Sequence, residues 1–320
     1  MKGINLPEIS RTFAFTIPKL PKDVALDLGV SYAICRVIDT VEDSSLENYK
    51  KAYLMNLFLE SLKDDGKVTE CKTALTSVPT KHEGYRKLLG NVPNLVALFN
   101  TLPLEIQGTI IRLASKMTEG FGNENVQQIN TLEDQNKYCF YAAGVVGYII
   151  TEVFGCRGYL TSKEVEEMLP LAKDFGLALQ KVNIMKDVMD DMSEGRFYWP
   201  KDIIEKHGVT YETLGKDVDK SLLVLRELVK DAKNYIKRCL DYIDRLPYEP
   251  EELRVFCGDN LMMAIATLRV IQTPELFVRP VKITRDEVYA IDKEVTKIVK
   301  NKQSLREFAG KLILEAADKI

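Results

Sequence analysis

The stretch VALDLGVSYAICRVIDTVED (residues 24–43) decides the fold class, because its apolar residues recur every three or four positions before it turns acidic. That period predicts an α-helix with one buried face. Asp39, Glu42 and Asp43 stand at i, i+3 and i+4, so in a helix their carboxylates leave one face within about one turn, roughly 6 Å of axis. Like charges at that spacing repel and weaken a helix, which makes the cluster a candidate site.

The same period dominates the rest of the chain. It is clearest in residues 49–65, 102–121, 165–192 and 222–246, where apolar residues again repeat at three and four. No run shows sustained strand alternation, and no Asn-Gly or Asp-Gly hairpin turn occurs. The breaks at proline and glycine are too short and too ordinary in composition to be linkers. We therefore predict an all-α protein with a single domain over residues 1–320.

The composition excludes several classes of function. Of 320 residues, 46% are hydrophobic and 28% charged, which is typical of a soluble globular protein, and a net charge of −3 gives no field for nucleic acid. Only two histidines occur, His82 and His207, which argues against a histidine metal site or a histidine-dependent triad. Six cysteines without a CxxC pair predict free, buried thiols in a reducing compartment.

Two apolar segments bear on membrane contact. YCFYAAGVVGYIITEVF (138–154) is interrupted by Glu152 and is too short for a clean span, so we predict a buried core helix. SLREFAGKLILEAADKI (304–320) predicts a packing helix, with an interfacial membrane contact as the alternative; its stripe is Leu305, Phe308, Leu312, Ala316 and Ile320. No signal peptide is evident at the start. We expect a cytoplasmic protein without a transmembrane anchor, with peripheral membrane contact for product release left open.

A second acidic cluster lies in LQKVNIMKDVMDDM (179–192). Gln180, Asn183, Asp187 and Asp191 are spaced by three, four and four residues, so they form a polar stripe on an otherwise apolar helix, beside Asp190. Such a stripe is costly unless it lines a cavity or binds something. Two carboxylate clusters suit Mg²⁺ shared with a diphosphate, because Mg²⁺ divides its shell between carboxylates and phosphate oxygens. Two solvated acidic helix ends are the simpler alternative.

Basic residues accompany these clusters and suit phosphate oxygens. Arg196 lies in SEGRFYWP (193–200), which we expect to be flexible. Any one of these side chains is more often a surface charge, so their position beside the acids is what makes them candidates. The set is Arg11, Arg36, Lys186, Arg196, Lys282 and Arg285.

These blocks together resemble the squalene/phytoene synthases, head-to-head prenyl transferases of the isoprenoid-synthase fold. ISRTFAF (9–15) looks like the family's Ser-Arg-Ser-Phe segment, and KYCFYAAGVVG (137–147) resembles its tyrosine helix. DTVED (39–43) and NIMKDVMDDMSEGRFYWP (183–200) look like its two Asp-rich motifs. The match runs from about residue 8 to near residue 297. It implies a helical bundle with a central active-site cavity.

The resemblance also implies roles for individual residues. The Mg²⁺-diphosphate ligands would be Asp39, Glu42, Asp43, Asp187 and Asp191. The catalytic residues would be Tyr138 and Tyr32, which would lie beside the reacting carbons, and Phe256, which would line the pocket. The residues that bind substrate and cofactor would be Arg11, Phe13, Arg36, Gln180, Asn183, Lys186, Arg196, Lys282 and Arg285.

The implied activity is that of a transferase. VFCGDNLMMAIATL (255–268) and VKITR (281–285) are similar to the eukaryotic-type members of the family. Those members condense two farnesyl diphosphates to presqualene diphosphate and reduce it to squalene, using Mg²⁺ and NADPH. The chain has no GxGxxG, so NADPH would be held without a Rossmann fold. We expect farnesyl diphosphate as the partner, no nucleic acid, and a monomer.

The chain departs from the family pattern at several positions. Ser44 stands where related enzymes tend to have an acid, and Lys186 where they have arginine. Asp259, Asn260 and Leu261 replace an apolar residue, proline and glutamine, which puts the reductive step in doubt. Two alternatives therefore stay open. One is an enzyme that stops at presqualene diphosphate or makes a dehydrosqualene- or phytoene-type product, and the other is a non-catalytic helical binding protein.

Overall fold

The computed structural model describes residues 5–123 and 128–317, which form helices joined by short loops and contain no strand. The prediction of an all-α fold is confirmed. In chain order, helices α1 to α17 are Leu6–Ile9, Thr12–Thr16, Lys22–Glu42, Asn48–Ser61, Val68–Leu75, Glu83–Gly90, Val92–Phe99, Leu104–Phe121, Leu132–Cys139, Val145–Cys156, Ser162–Lys186, Val188–Ser193, Lys201–Lys206, Val218–Arg245, Glu251–Ile271, Arg285–Lys300 and Arg306–Ala317. Short 3₁₀ turns cover Ile17–Lys19, Asp65–Lys67 and Pro274–Phe277.

The helices gather into two compact units. One comprises Met1–Asn125 and Val145–Leu169, and the other comprises Val126–Gly144 and Pro170–Ile320. The first unit carries the acidic end of α3, and the second carries the predicted tyrosine helix and the second acidic cluster. One domain over the whole chain stays a prediction.

Helix α3 forms the centre of the first unit, where it packs against α8 and α10. Val30 and Val37 on this helix are fully buried, as the apolar period predicts. Asp27 is also fully buried, and Nε and Nη2 of Arg157 donate to its two oxygens at 2.7 and 2.8 Å. This two-point pairing satisfies a buried carboxylate and fixes the helix that carries the first acidic cluster.

A close approach between α1 and α6 depends on Gly84. A Cβ at this position would lie 2.0 Å from the carbonyl oxygen of Glu8, so only glycine fits. The next residue is Tyr85, whose ring reaches Arg36 of α3. The short contact between α1 and α6 therefore helps to place an aromatic ring beside the first acidic cluster.

Helix α15 forms the centre of the second unit and packs against α14, α16 and α17. The C-terminal stripe contributes to this packing, since Leu305 and Leu312 are only 2% and 8% exposed. The predicted packing helix is confirmed for these two residues. The side chain of Ala316, and Ile320 altogether, lie outside the described residues.

Helix α9 carries Tyr138 and leads through a π-helical turn, Phe140–Gly144, into α10. Within the second unit Gly176 of α11 touches this turn. A Cβ on Gly176 would lie 2.2 Å from the carbonyl oxygen of Ala143 and 2.7 Å from the Cα of Gly144. Glycine is required for so close a crossing of two backbones. The crossing therefore sets the position of α11 against the turn that follows Tyr138.

One helix in the described part of the chain, Leu132–Cys156, is long and apolar enough to cross a membrane. Its most apolar window has a mean hydropathy of 1.5 and is 39% buried. Core helices of soluble proteins share this length and composition, so the criterion is weak evidence for a span. A core helix at this position stays a prediction.

Candidate active site

Arg36 is held between two tyrosine rings near the end of α3. Its guanidinium carbon lies 5.5 Å from the ring centre of Tyr32 and 5.3 Å from that of Tyr85. Its Nη2 donates to the hydroxyl of Tyr32 at 3.0 Å, and that hydroxyl donates to the carbonyl of Ile9 at 3.1 Å. Cation–π contacts of this kind fix a guanidinium while they leave N–H groups for another acceptor.

The Nε–H of Arg36 is available to such an acceptor. Its buried Nε has no hydrogen-bond partner among the residues that the structure describes, although buried N–H groups are nearly always paired. Burial alone would lower the pKa of Arg36, but Tyr32, Asp39 and Tyr85 outweigh it and raise the pKa, so the charge is kept. A fixed cation with a spare donor suits an oxyanion such as phosphate.

Asp39 forms an ion pair with Arg36 on the same helix. Nη1 of Arg36 lies 3.5 Å from Oδ2 of Asp39, and the two side chains are 24% and 23% exposed. Burial raises the pKa of Asp39 to about 7, against the opposing charge of Arg36 and with a further rise from Asp43. The negative charge of Asp39 is therefore incompletely compensated, and a divalent cation would stabilise it.

The other two acids of the first cluster differ in exposure. Glu42 is only 5% exposed, whereas Asp43 is exposed at the end of α3. Negative charge at a helix C-terminus is disfavoured by the helix dipole, and here it adds to the like-charge repulsion. Ser44, the residue after this cluster, donates its hydroxyl to the carbonyl of Val41 at 2.7 Å. The acidic end of α3 is costly by itself, and a bound cation would offset that cost.

Phe13 joins this group and Arg11 does not. The ring centre of Phe13 lies 5.0 Å from that of Tyr32, with the two planes tilted by 45°. Arg11 is exposed at the start of α2. Of the predicted site residues in the first unit, the structure therefore brings Phe13, Tyr32, Arg36 and Asp39 into one chain of contacts.

The second acidic cluster lies at a break between two helices. Helix α11 ends at Lys186 and α12 begins at Val188, so the prediction of one continuous helix is wrong at Asp187. The backbone N–H of Asp187 donates to the carbonyl of Asn183, and that of Asp191 to the carbonyl of Asp187, each at 2.9 Å. The helical spacing of the polar stripe therefore survives the break.

Both carboxylates of this cluster are paired with a cation. Nζ of Lys186 lies 2.6 Å from Oδ2 of Asp187. Nη2 and Nε of Arg196 donate to Oδ1 of Asp191 at 2.9 and 3.3 Å, and Nη1 donates to Glu194 at 2.7 Å. These pairs offset part of the repulsion between the clustered acids. Gln180 is half-buried and Asn183 is exposed on the same stripe.

The segment that carries Arg196 is anchored, not flexible as its sequence suggests. The indole N–H of Trp199 donates to the carbonyl of Ile184 at 3.2 Å, and the hydroxyl of Tyr211 donates to the carbonyl of Trp199 at 2.6 Å. The rings of Phe197 and Tyr211 lie 4.6 Å apart. These contacts hold Arg196 beside Asp191.

Tyr138 lies on α9 with only 4% of its surface exposed. Its ring is stacked on that of Tyr198, with centres 4.5 Å apart and planes at 27°. Sequence reasoning missed Tyr198, and it missed Tyr85 beside Arg36. Tyr198 lies in a motif that was identified, but no spacing rule links a loop residue to a ring on another helix.

The remaining predicted residues lie along α15 and before α16. Phe256 is 2% exposed, and its carbonyl accepts a hydrogen bond from Nδ2 of Asn260 at 2.7 Å. Lys282 and Arg285 are exposed in the loop before α16 and at its first residue. The structure leaves these two cations open to an incoming anion.

The chemistry of the donor set fits Mg²⁺ shared with a substrate. Within residues 5–123 and 128–317, no group of three or more histidine, cysteine, aspartate or glutamate side chains is placed to hold a metal by itself. Mg²⁺ usually takes one or two carboxylates and completes its shell with phosphate oxygens and water. Carboxylates beside basic side chains, with an unpartnered Nε on Arg36, suit that arrangement.

Comparison with known proteins covers nearly the whole chain. A model of the squalene/phytoene synthase family matches residues 6–287. The squalene synthase of Mus musculus is 30% identical over 296 residues, which cover 91% of this chain and 68% of that protein. That of Schizosaccharomyces pombe is 28% identical over 300 residues, covering 88% and 62%. A solved complex of TcSQS with a ligand has a TM-score of 0.88 at 25% identity, covering 98% of this chain and 90% of that one.

Proposed function

Because the chain belongs to the squalene/phytoene synthase family, we propose that it is a squalene synthase. It would condense two farnesyl diphosphates to presqualene diphosphate and reduce that intermediate to squalene with NADPH. The observation that carries the proposal is that both acidic clusters contain carboxylates paired with a basic side chain, as in Arg36–Asp39 and Lys186–Asp187. Acids and cations arranged in this way match the two components of a metal-diphosphate.

The acidic residues would hold the metal and so free the cations. Asp39, Glu42, Asp43, Asp187 and Asp191 would bind Mg²⁺, whose charge makes diphosphate a better leaving group. Carboxylates engaged in this way would release Arg36, Lys186 and Arg196 from their present ion pairs. Their N–H groups would then be available to the diphosphate oxygens, with the Nε of Arg36 as a further donor.

The aromatic residues would handle the carbocations. The ring of Tyr138 can stabilise a developing cation by its π face, and its hydroxyl can serve proton transfer. At 4% exposure Tyr138 is shielded from the water that would quench a cation to an alcohol. Phe256, also buried, would line the pocket for the later cations.

The reductive half of the reaction would use the cations before α16. NADPH would supply the hydride, and its phosphates would be bound by Lys282 and Arg285. Both side chains are exposed, which suits a cofactor that binds and leaves in each cycle. We assign them on the family resemblance and on this accessibility.

The test is a product assay with farnesyl diphosphate and Mg²⁺, with and without NADPH. We expect presqualene diphosphate without NADPH and squalene only when NADPH is present. A product that is the same with and without NADPH would contradict a squalene synthase. Failure to form any condensation product would contradict a prenyl transferase of either kind.

A second candidate function is favoured by two buried polar residues near Phe256. Asp259 is fully buried and Asn260 is 5% exposed, in a part of α15 that is otherwise apolar. Polar groups there would alter the pocket for the later cations, so the enzyme would stop at presqualene diphosphate or make dehydrosqualene. Accumulation of presqualene diphosphate in the presence of NADPH would select this candidate over the first.

A further inference from the structure

A buried lysine in the second unit has no part in the chemistry proposed above. Lys181 is 2% exposed, and its Nζ lies 2.7 Å from Oδ2 of Asp231 and 2.8 Å from Oε1 of Gln135. The same nitrogen lies 5.2 Å from the ring centre of Tyr235. Hydrocarbon side chains often replace a buried ion pair without loss of stability. Packing alone therefore does not explain a lysine at this position.

Gln135 extends the contact from Lys181 to the aromatic pair. Its Nε2 donates to the carbonyl of Tyr198 at 2.9 Å, and the ring of Tyr198 stacks on Tyr138 at 4.5 Å. Gln135 and Tyr138 stand at i and i+3 on α9, so they share a face of that helix. Tyr198 is thus attached to α9 at two points, through its backbone carbonyl and through its ring.

The lysine also determines which way the amide of Gln135 points. An ammonium group has only donors, so the atom of Gln135 beside Nζ must be the carbonyl oxygen. The amide nitrogen is then directed at the carbonyl of Tyr198, where a donor is needed. Without Lys181 the amide could turn over and present its oxygen to another oxygen.

We propose that Lys181 and Gln135 are positioning residues that hold Tyr198 against Tyr138 and so fix the plane of the Tyr138 ring. The proposal rests on the proposed function, from which the role of Tyr138 comes. Cation–π stabilisation depends on where the ring face lies, and small displacements of a catalytic group are costly. The network therefore controls the rate of the cation steps and the fraction of cation lost to water.

The test compares Gln135→Leu with Glu133→Gln, an exposed change on the same helix. We expect Gln135→Leu to lower kcat about 10- to 100-fold, with KM for farnesyl diphosphate within about twofold, and to raise the proportion of alcohol products. Tyr198→Leu should have the same effects. Glu133→Gln should behave as wild type.

Coupling between the two positions separates positioning from general loss of structure. Gln135→Leu and Tyr198→Leu should not be additive, since each abolishes the stacking of Tyr198 on Tyr138. Lys181→Met alone would leave Asp231 buried and unpaired, so Lys181→Met is combined with Asp231→Leu, which removes both charges. This double variant should fold and should show the alcohol products of Gln135→Leu.

A spectroscopic readout is independent of activity. The near-ultraviolet circular dichroism difference between Gln135→Leu and wild type should share the loss of the stacked-tyrosine signal with that of Tyr198→Leu, because Gln135→Leu separates the two rings and Tyr198→Leu removes one of them. An unchanged spectrum, or wild-type kcat and product proportions in Gln135→Leu, would overturn the inference. If the wild-type protein forms no condensation product, the proposed function fails, and the spectrum still decides whether Gln135 holds the tyrosine pair.

Discussion

At the scale of single residues, the two acidic clusters are compensated to different degrees. The Lys186–Asp187 pair is close, at 2.6 Å, whereas Arg36 and Asp39 are 3.5 Å apart on a helix end that already disfavours negative charge. Burial raises the pKa of Asp39 to about 7 despite the opposing charge of Arg36. A bound cation would therefore offset the cost of ionising Asp39.

Replacing Asp39 by asparagine should separate stability from activity. We expect Asp39→Asn to lower kcat/KM at least about 100-fold, because a proposed metal ligand is lost, while Glu47→Gln on the exposed segment nearby changes nothing. Product formation from farnesyl diphosphate at saturating Mg²⁺ measures both. Full turnover in Asp39→Asn would remove this residue from the metal site.

The same variant should change how metal-free stability depends on pH. Since the folded pKa of Asp39 lies above its ordinary value of 3.8, the stability that the protonated group contributes is complete below about pH 4 and is lost as pH rises through about 7. An asparagine does not ionise. We expect the Tm of wild type to fall relative to Asp39→Asn between pH 5 and pH 8 in the presence of a chelator, and parallel curves would contradict the assignment.

Tyr85 offers a test of the aromatic clamp on Arg36. Tyr85→Leu removes a ring that lies 5.3 Å from the guanidinium, and it should raise KM for farnesyl diphosphate about two- to fivefold through loss of about 0.5–1 kcal/mol of cation–π stabilisation. Tyr85→Phe keeps the ring and should leave KM unchanged. Steady-state kinetics of the two variants measure both KM values. An equal rise in KM in both variants would mean that the hydroxyl of Tyr85, not its ring, supports binding.

At the scale of elements, apolar periodicity predicted the helices well and their interruptions poorly. The stretch 24–43 became Lys22–Glu42, and 102–121 became Leu104–Phe121. No glycine or proline marks the break at Asp187 in the sequence. The break lies where α11 ends and α12 begins. Local pattern fixes a helix, but a distortion of this kind depends on contacts made elsewhere in the fold.

The partners of the site side chains also could not be predicted from the sequence. Arg36 with Tyr85, and Tyr138 with Tyr198, join segments far apart in the chain, so their pairing follows from packing and not from spacing. Lys181 could have been identified as unusual from the sequence, since a lysine between Leu179 and Val182 lies on an apolar part of its helix. What the sequence lacked was any sign of its partners.

The crossing of α11 over the π-helical turn gives a prediction about stability. Gly176→Ala would place a methyl group 2.2 Å from the carbonyl oxygen of Ala143, and we expect a loss of about 2–4 kcal/mol in the free energy of unfolding. Gly108→Ala, on an exposed part of α8 with nothing within 4 Å, should instead gain about 0.5–1 kcal/mol. Urea unfolding measures both, and a neutral Gly176→Ala would contradict the close crossing.

At the scale of the whole molecule, the cysteines follow the expectation from their scattered positions. All six are free; five are buried and Cys156 is half-buried. Burial raises the pKa of Cys35 and of Cys139 to about 12, so these thiols stay protonated at neutral pH. Buried and protonated thiols are chemically inert, and they act as small apolar side chains in the core.

Thiol titration should distinguish the buried cysteines from the half-buried one by their reaction rates. With a disulfide reagent at pH 8, we expect the native protein to react slowly and Cys156 to react first, because it is the least buried even though burial and Glu105 raise its pKa to about 11. Unfolding in guanidinium should release all six thiols. Cys156→Ser removes the first phase, and rapid labelling of several thiols in that variant would contradict the buried assignment.

The chain contains a single tryptophan, and its location makes it a natural reporter. Trp199 is 1% exposed, its indole is bound to the backbone just before Asp187, and it follows Arg196 by three residues on the same anchored segment. The fluorescence of this one indole therefore reports on the segment that carries Arg196 and on the residues packed around it. If Arg196 exchanged Asp191 for a bound anion, the emission of Trp199 would change. Binding of the anion could therefore be followed in unlabelled protein, without turnover.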